Sequence, residues 1–149
     1  MNGTADALGH LATVMENNRR AWRIPIRSVH VTVENHTQHT LILVNEHLHK
    51  GEWSKRSAGN ENMDRTNPQA RIEPGQTNMF LNGIVDRGSG VEGEVTYELE
   101  GTGKAVTLYW DNPVWGSNSY EERKSGDVNV QRHGAGSGDD SAITWAFSD

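Results

Sequence analysis

The sequence predicts an all-β protein, an antiparallel β-sandwich or barrel with one N-terminal helix. Three observations lead there. Apolar and polar residues alternate over short runs from residue 28 onward, the period of a half-buried strand. Glycine, proline and asparagine break these runs at short, even intervals, as in sandwiches and barrels. Apolar spacing of three and four residues marks one helix, near the N-terminus.

That helix is expected over residues 4 to 21, with Leu8, Leu11, Val14 and Met15 on one face and Thr4 or Asp6 as N-cap. Pro25 should end it, because proline disfavours a helical residue before it. The segment reads as an amphipathic arm packed on the domain, with a surface or partner helix as the alternative; Gly9 and a narrow apolar face speak against membrane insertion. The chain accordingly divides into a helical extension, 1–27, and a sandwich, 28–149.

Val29, Val31 and Val33 alternate with His30, Thr32 and Glu34 in a first strand, closed by a turn at Asn35 to Gln38. Thr40 to Leu48 is a second strand, and Gly51 to Lys55 a third or its loop. Residues 57 to 68 carry no core signal and read as a polar loop. After Pro74 and Gly75 a strand resumes over Asn78 to Leu81. The glycine-rich stretch 83 to 93 suits tight turning. Strands at 94 to 100 and 104 to 111 are joined by Gly101-Thr102-Gly103. Val128 to Arg132 and Ala142 to Phe147 form the last pair, joined through 134 to 140.

Composition narrows the function. The formal net charge of -6 repels a phosphate backbone unless a basic patch is segregated, so no nucleic-acid partner is expected. With no cysteine there is no disulfide framework and no thiolate nucleophile. The N-terminus lacks a signal-peptide pattern, so a membrane, if the protein meets one, is expected to be met from water, after release by lysis, by a leaderless route or from an intracellular store. His47 and His49 would share a strand face, but zinc needs three or four ligands, and a polar face is the better reading. Glu92, Glu94 and Glu98 are read as solvated carboxylates. The loop at 134 to 140 lacks the lysine and following helix of a phosphate loop. No enzymatic activity, metal or cofactor is expected.

The tract TLYWDNPVWGSN, residues 107 to 118, is different in kind. Val106, Leu108 and Trp110 should face one way and Thr107, Tyr109 and Asp111 the other, making Trp110 a core residue. Pro113 cannot continue a central strand, so residues 112 to 118 form a loop carrying Trp115, with Tyr120 just beyond it. An indole there suits a membrane interface, where an apolar ring meets a polar edge.

Tyr109-Trp110-Asp111, Pro113 and Trp115-Gly116-Ser117 resemble the YWD-x-PWGS signature of the aegerolysins, small acidic β-sandwich proteins that bind membrane lipids. Glu52-Trp53-Ser54-Lys55 resembles the family's early tryptophan loop, and Gly90 to Gly93 its GxxG before a strand. Leu108 to Pro113 with Gly116-Ser117-Asn118 and Tyr120, and His39-Thr40-Leu41 earlier, are similar to bacterial members that form the small component of two-protein insecticidal toxins. The resemblance covers about residues 28 to 149. It implies a protein that binds a membrane lipid, a sphingolipid among the candidates, and recruits a larger pore-forming partner. It also implies that Trp53, Ser89, Gly90 and Trp115 lie where fungal members contact lipid, with Tyr109, Asp111 and Tyr120 beside them. A carbohydrate-binding lectin and a self-sufficient cytolysin that forms homo-oligomers are the alternatives.

Overall fold

A computed structural model describes residues 3–21, 24–54, 67–134 and 136–149. Helix α1 spans Gly3–Ala21 and is followed by ten strands. They are β1 (Arg27–His36), β2 (Leu41–Lys50), β3 (Glu52–Trp53), β4 (Arg71–Ile72), β5 (Thr77–Ile84), β6 (Val91–Leu99), β7 (Lys104–Asn112), β8 (Ser119–Ser125), β9 (Asn129–His133) and β10 (Asp140–Ser148). Most of the expected polar loop at 57 to 68 lies outside the described residues.

The strands form two five-stranded sheets, in the orders β3-β5-β1-β10-β9 and β4-β2-β6-β7-β8. The expected sandwich is present, and every pair is antiparallel except β1 with β10. A parallel pair needs a crossover rather than a hairpin. Here the crossover is nearly the whole domain, since the chain builds the second sheet before β10 returns beside β1.

Alternation decides which side chains meet between the sheets. Val29, Val31 and Val33 of β1, Phe80 of β5 and Ile143, Trp145 and Phe147 of β10 face Val95, Tyr97, Val106, Leu108 and Trp110 of the second sheet in one core. Fully burying such a side chain stabilises by about 1.5–3 kcal/mol. Both buried indoles keep a hydrogen-bond partner: Trp110 Nε1 donates to Asn82 Oδ1 at 2.9 Å, and Trp145 Nε1 to Glu122 Oε1 at 2.9 Å. Asn82 also spans a strand junction, donating through Nδ2 toward the carbonyls of Lys50 and Glu52.

The structure corrects the sequence reading at several places. β8, over Ser119–Ser125, is a strand where the sequence reading assigned no element; its run of charged residues hides the period because β8 is an edge strand with one side in water. Helix α1 begins at Gly3, so Thr4 and Asp6 lie inside it rather than at its N-cap. The apolar face of α1 does not pack on the sandwich: Leu8, Leu11, Val14 and Met15 are all exposed. The helix is instead held at its C-terminal end by hydrogen bonds from Arg19 to the carbonyls of Ile24 and Val85, both at 2.8 Å.

Candidate functional site

The end of β7 builds the site. Trp110 is fully buried, while Tyr109 and Asp111 face outward, as alternation requires. Asn112 is the last residue of β7, and Pro113, which has no N–H to offer a ladder, turns the chain out. The resulting loop carries Trp115, which is 89% exposed.

Opposite this loop stands the connection between β9 and β10. Asn112 is buried, and its Nδ2 lies 3.2, 3.0 and 3.1 Å from the carbonyl oxygens of Ser28, Gly138 and Asp139. Asn118 Nδ2 donates to the carbonyls of Gly136 and Gly138 at 2.9 and 3.1 Å. The Tyr120 hydroxyl donates to Gly136 O at 2.7 Å and meets Ser141 Oγ at 3.0 Å. Position 136 must be glycine: φ is +56°, and a Cβ there would stand 2.5 Å from the Tyr120 ring.

Between the two loops lies an open cleft of about 710 Å³, a volume in the usual range of small-ligand sites. Val114, Ser117, Asn118 and Tyr120 line one wall, and Arg27, Arg132 and Asp139 contribute charge. Arg27 Nη1 pairs with Asp139 at 2.6 Å, and the Arg132 guanidinium sits 5.8 Å from the Tyr120 ring centre. The cleft therefore offers cationic, anionic and hydroxyl groups together. Trp115 stands beside it, between the lining residues Val114 and Gly116, without forming its wall.

The expected site residues divide among four places. Tyr120 lies in the cleft and Trp115 at its edge. Gly90 packs behind the loop, where a Cβ would meet Asn112 O at 2.7 Å and Pro113 Cα at 2.9 Å; Ser89 beside it is half-buried. Trp53 is half-buried against the core, edge-on to Phe80 with ring centres 5.7 Å apart. Tyr109 and Asp111 belong to the outer face of the second sheet.

On that outer face the Tyr109 hydroxyl donates to Glu92, and the Arg123 guanidinium stands 4.9 Å from the Tyr109 ring centre. Burial, with Glu92 as acceptor, pushes the phenol above its ordinary range. Desolvation, then the neighbouring Glu92 charge, raises the Asp111 carboxyl, with Lys50 opposing. His47 and His49 are edge-on with centres 4.4 Å apart, and His49 Nε2 is 2.9 Å from Glu94. No group of three or more metal-ligating side chains occurs among the described residues.

Sequence reasoning missed Arg27, Asn118 and Arg132 as site residues. Asn118 lay in the singled-out tract without being assigned a role, whereas no local pattern could have found Arg27 and Arg132, which come from β1 and β9 and reach the cleft only through the sheet order.

The family model described as Aegerolysin matches residues 26–144. Helix α1 lies outside that match. No curated protein matches the chain in sequence. Among solved structures, the chain is similar to the lipid binding protein Nakanori, with a TM-score of 0.69 and 15% identity over 95% of this chain and 80% of that one. It is also similar to IP-1A from Alcaligenes faecalis, with a TM-score of 0.61 and 18% identity over 88% of this chain and 98% of that one.

Proposed function

The chain belongs to the aegerolysin family, and from that premise we propose that it binds a membrane lipid through the end of the sandwich carrying Trp115. The observation that carries this reading is an indole 89% exposed beside a polar cleft of about 710 Å³. Trp115 enters the interfacial layer, where an indole gains apolar contact and keeps its N–H wet. The cleft takes the headgroup, with Arg27 and Arg132 facing phosphate and Asp139 facing an amine. Ser117, Asn118 and Tyr120 supply the neutral hydrogen bonds.

The protein acts as the small, membrane-binding component of an insecticidal two-protein toxin and recruits a larger pore-forming partner. The run Leu108 to Pro113 with Gly116-Ser117-Asn118 and Tyr120, similar to the small component of bacterial two-protein toxins, supports this. No helix among the described residues is long and apolar enough to cross a membrane. Liposome sedimentation across a panel of headgroups, with Trp115→Ala beside the wild type, tests lipid binding. Equal recovery in the supernatant for every lipid would overturn it. Dye release from vesicles by the pure protein tests the division of labour: binding without leakage is expected, and leakage would establish a self-sufficient cytolysin.

The mixed polar lining of the cleft also suits sugar hydroxyls, so a lectin is the second reading. Strong hits on a glycan array together with indifference to protein-free liposomes would favour it.

A further inference from the structure

Helix α1 presents an apolar face that no strand covers. Leu8 and Met15 are each 63% exposed, and Leu11 and Val14 stand beside them. These four and Trp115 are five of the seven large hydrophobic side chains exposed among the described residues. An exposed apolar patch of this kind ordinarily marks an interaction surface.

The helix is attached at the Trp115 end of the sandwich. Arg19 binds Glu16 at 2.6 Å and Val85 O at 2.8 Å, and Arg87 reaches Glu16 at 3.2 Å. These contacts, with Arg19 first and Arg87 second, hold the Glu16 carboxyl down at about 2. Val85 and Arg87 belong to the segment whose Gly90 packs against Pro113, directly behind the loop bearing Trp115.

The pattern of the face distinguishes possible occupants. Leu8, Leu11 and Met15 have coiled-coil spacing, yet Ala7, Ala12 and Val14 flank that seam, and Arg19 at the next flanking position is already paired with Glu16 rather than open to a second helix. Over residues 7 to 15 the exposed Leu8, Leu11, Val14 and Met15, with Ala7 and Ala12, leave one side of α1 without a polar side chain to satisfy. Residues 16 to 27 that follow it carry Arg19, Arg20, Arg23 and Arg27 against the single acid Glu16, with Trp22 among them, in a chain of net charge -6. A basic, tryptophan-bearing stretch next to an apolar helical face is the composition of interfacial segments, whose Arg suits lipid phosphate and whose Trp suits the headgroup region.

We propose that α1 is a second membrane-contacting element, lying in the lipid interface with Leu8, Leu11, Val14 and Met15 toward the acyl chains while Trp115 and the cleft engage the same leaflet. The proposal rests on the lipid-binding reading above and adds a surface outside the part of the chain that the family model matches.

The chain contains no cysteine, so single labels can be placed cleanly. An environment-sensitive dye is attached at Leu11→Cys, and in a control at Thr13→Cys on the opposite side of the helix, in the full-length protein. Phosphatidylcholine vesicles containing sphingomyelin, or phosphatidylserine, are then added. The expected result is a blue shift and lipid-quencher access at position 11 but not at 13. Leu11→Gln/Met15→Gln should weaken vesicle affinity roughly tenfold with circular dichroism unchanged, given the apolar area removed from lipid. Vesicle binding that depends on Trp115 while the position 11 dye stays aqueous would overturn the proposal and leave the lipid reading intact. A blue shift without vesicles, with doubled mass on sizing, would assign the face to a second copy and overturn it too. Failure of the wild type to bind any vesicle would remove both readings.

Discussion

Trp110 and Trp115 stand five positions apart and have opposite fates. Trp110 is fully buried, bonded to Asn82 and packed on Phe80 and Trp53; Trp115 is almost wholly in water. The difference lies in the backbone between them. β7 fixes alternate side chains inward up to Asn112, and Pro113 ends the ladder. Trp110 thus belongs to stability, whereas Trp115 has no packing role to explain it.

The comparison breaks most visibly at Trp110. Trp110→Ala should cost about 3–5 kcal/mol through lost contacts and a cavity, seen as a lower urea midpoint. Next is Asn112→Ala, which strips the shared donor from the Ser28, Gly138 and Asp139 carbonyls. About 1–3 kcal/mol should be lost, and the 136–139 segment should become more open to proteolysis. Trp115→Ala should leave stability within about 0.5 kcal/mol yet weaken vesicle binding roughly tenfold, the loss of an interfacial anchor. Stability loss comparable to that of Trp110→Ala would erase the distinction.

The smallest effect is expected at Asp111. Its folded carboxyl is raised above the ordinary 3.8, so folding binds a proton and stability falls as pH rises from that value through the folded one. Asp111→Asn should therefore raise Tm slightly at neutral pH, and the gain should vanish below pH 3.8, where the wild-type carboxyl is protonated folded and unfolded. A gain independent of pH would show that charge is not its cause.

Strands with one face in the core were readable in the sequence at Val29 to Val33, 94 to 100 and 104 to 111, which alternate apolar and polar residues, whereas Val91 to Gly93, read as part of a glycine-rich turn, already belong to β6. β8 was not, because an edge strand bonded on one side and rich in Glu, Arg and Lys carries little apolar alternation. The helix was legible in its extent but not in its environment. A three-and-four spacing states which side chains share a face and says nothing of what covers that face.

The sequence by itself determined the antiparallel all-β class, the burial of Trp110 and the outward turn of Trp115, because each follows from period, proline and local geometry. Only the tertiary structure decided that Tyr120 lies in a cleft, that Tyr109 and Asp111 lie apart from it, and that Arg27 and Arg132 share it. Those placements depend on β10 returning beside β1 and drawing the 136–139 segment against Asn112. That pairing joins residues more than one hundred positions apart, a separation no local pattern encodes.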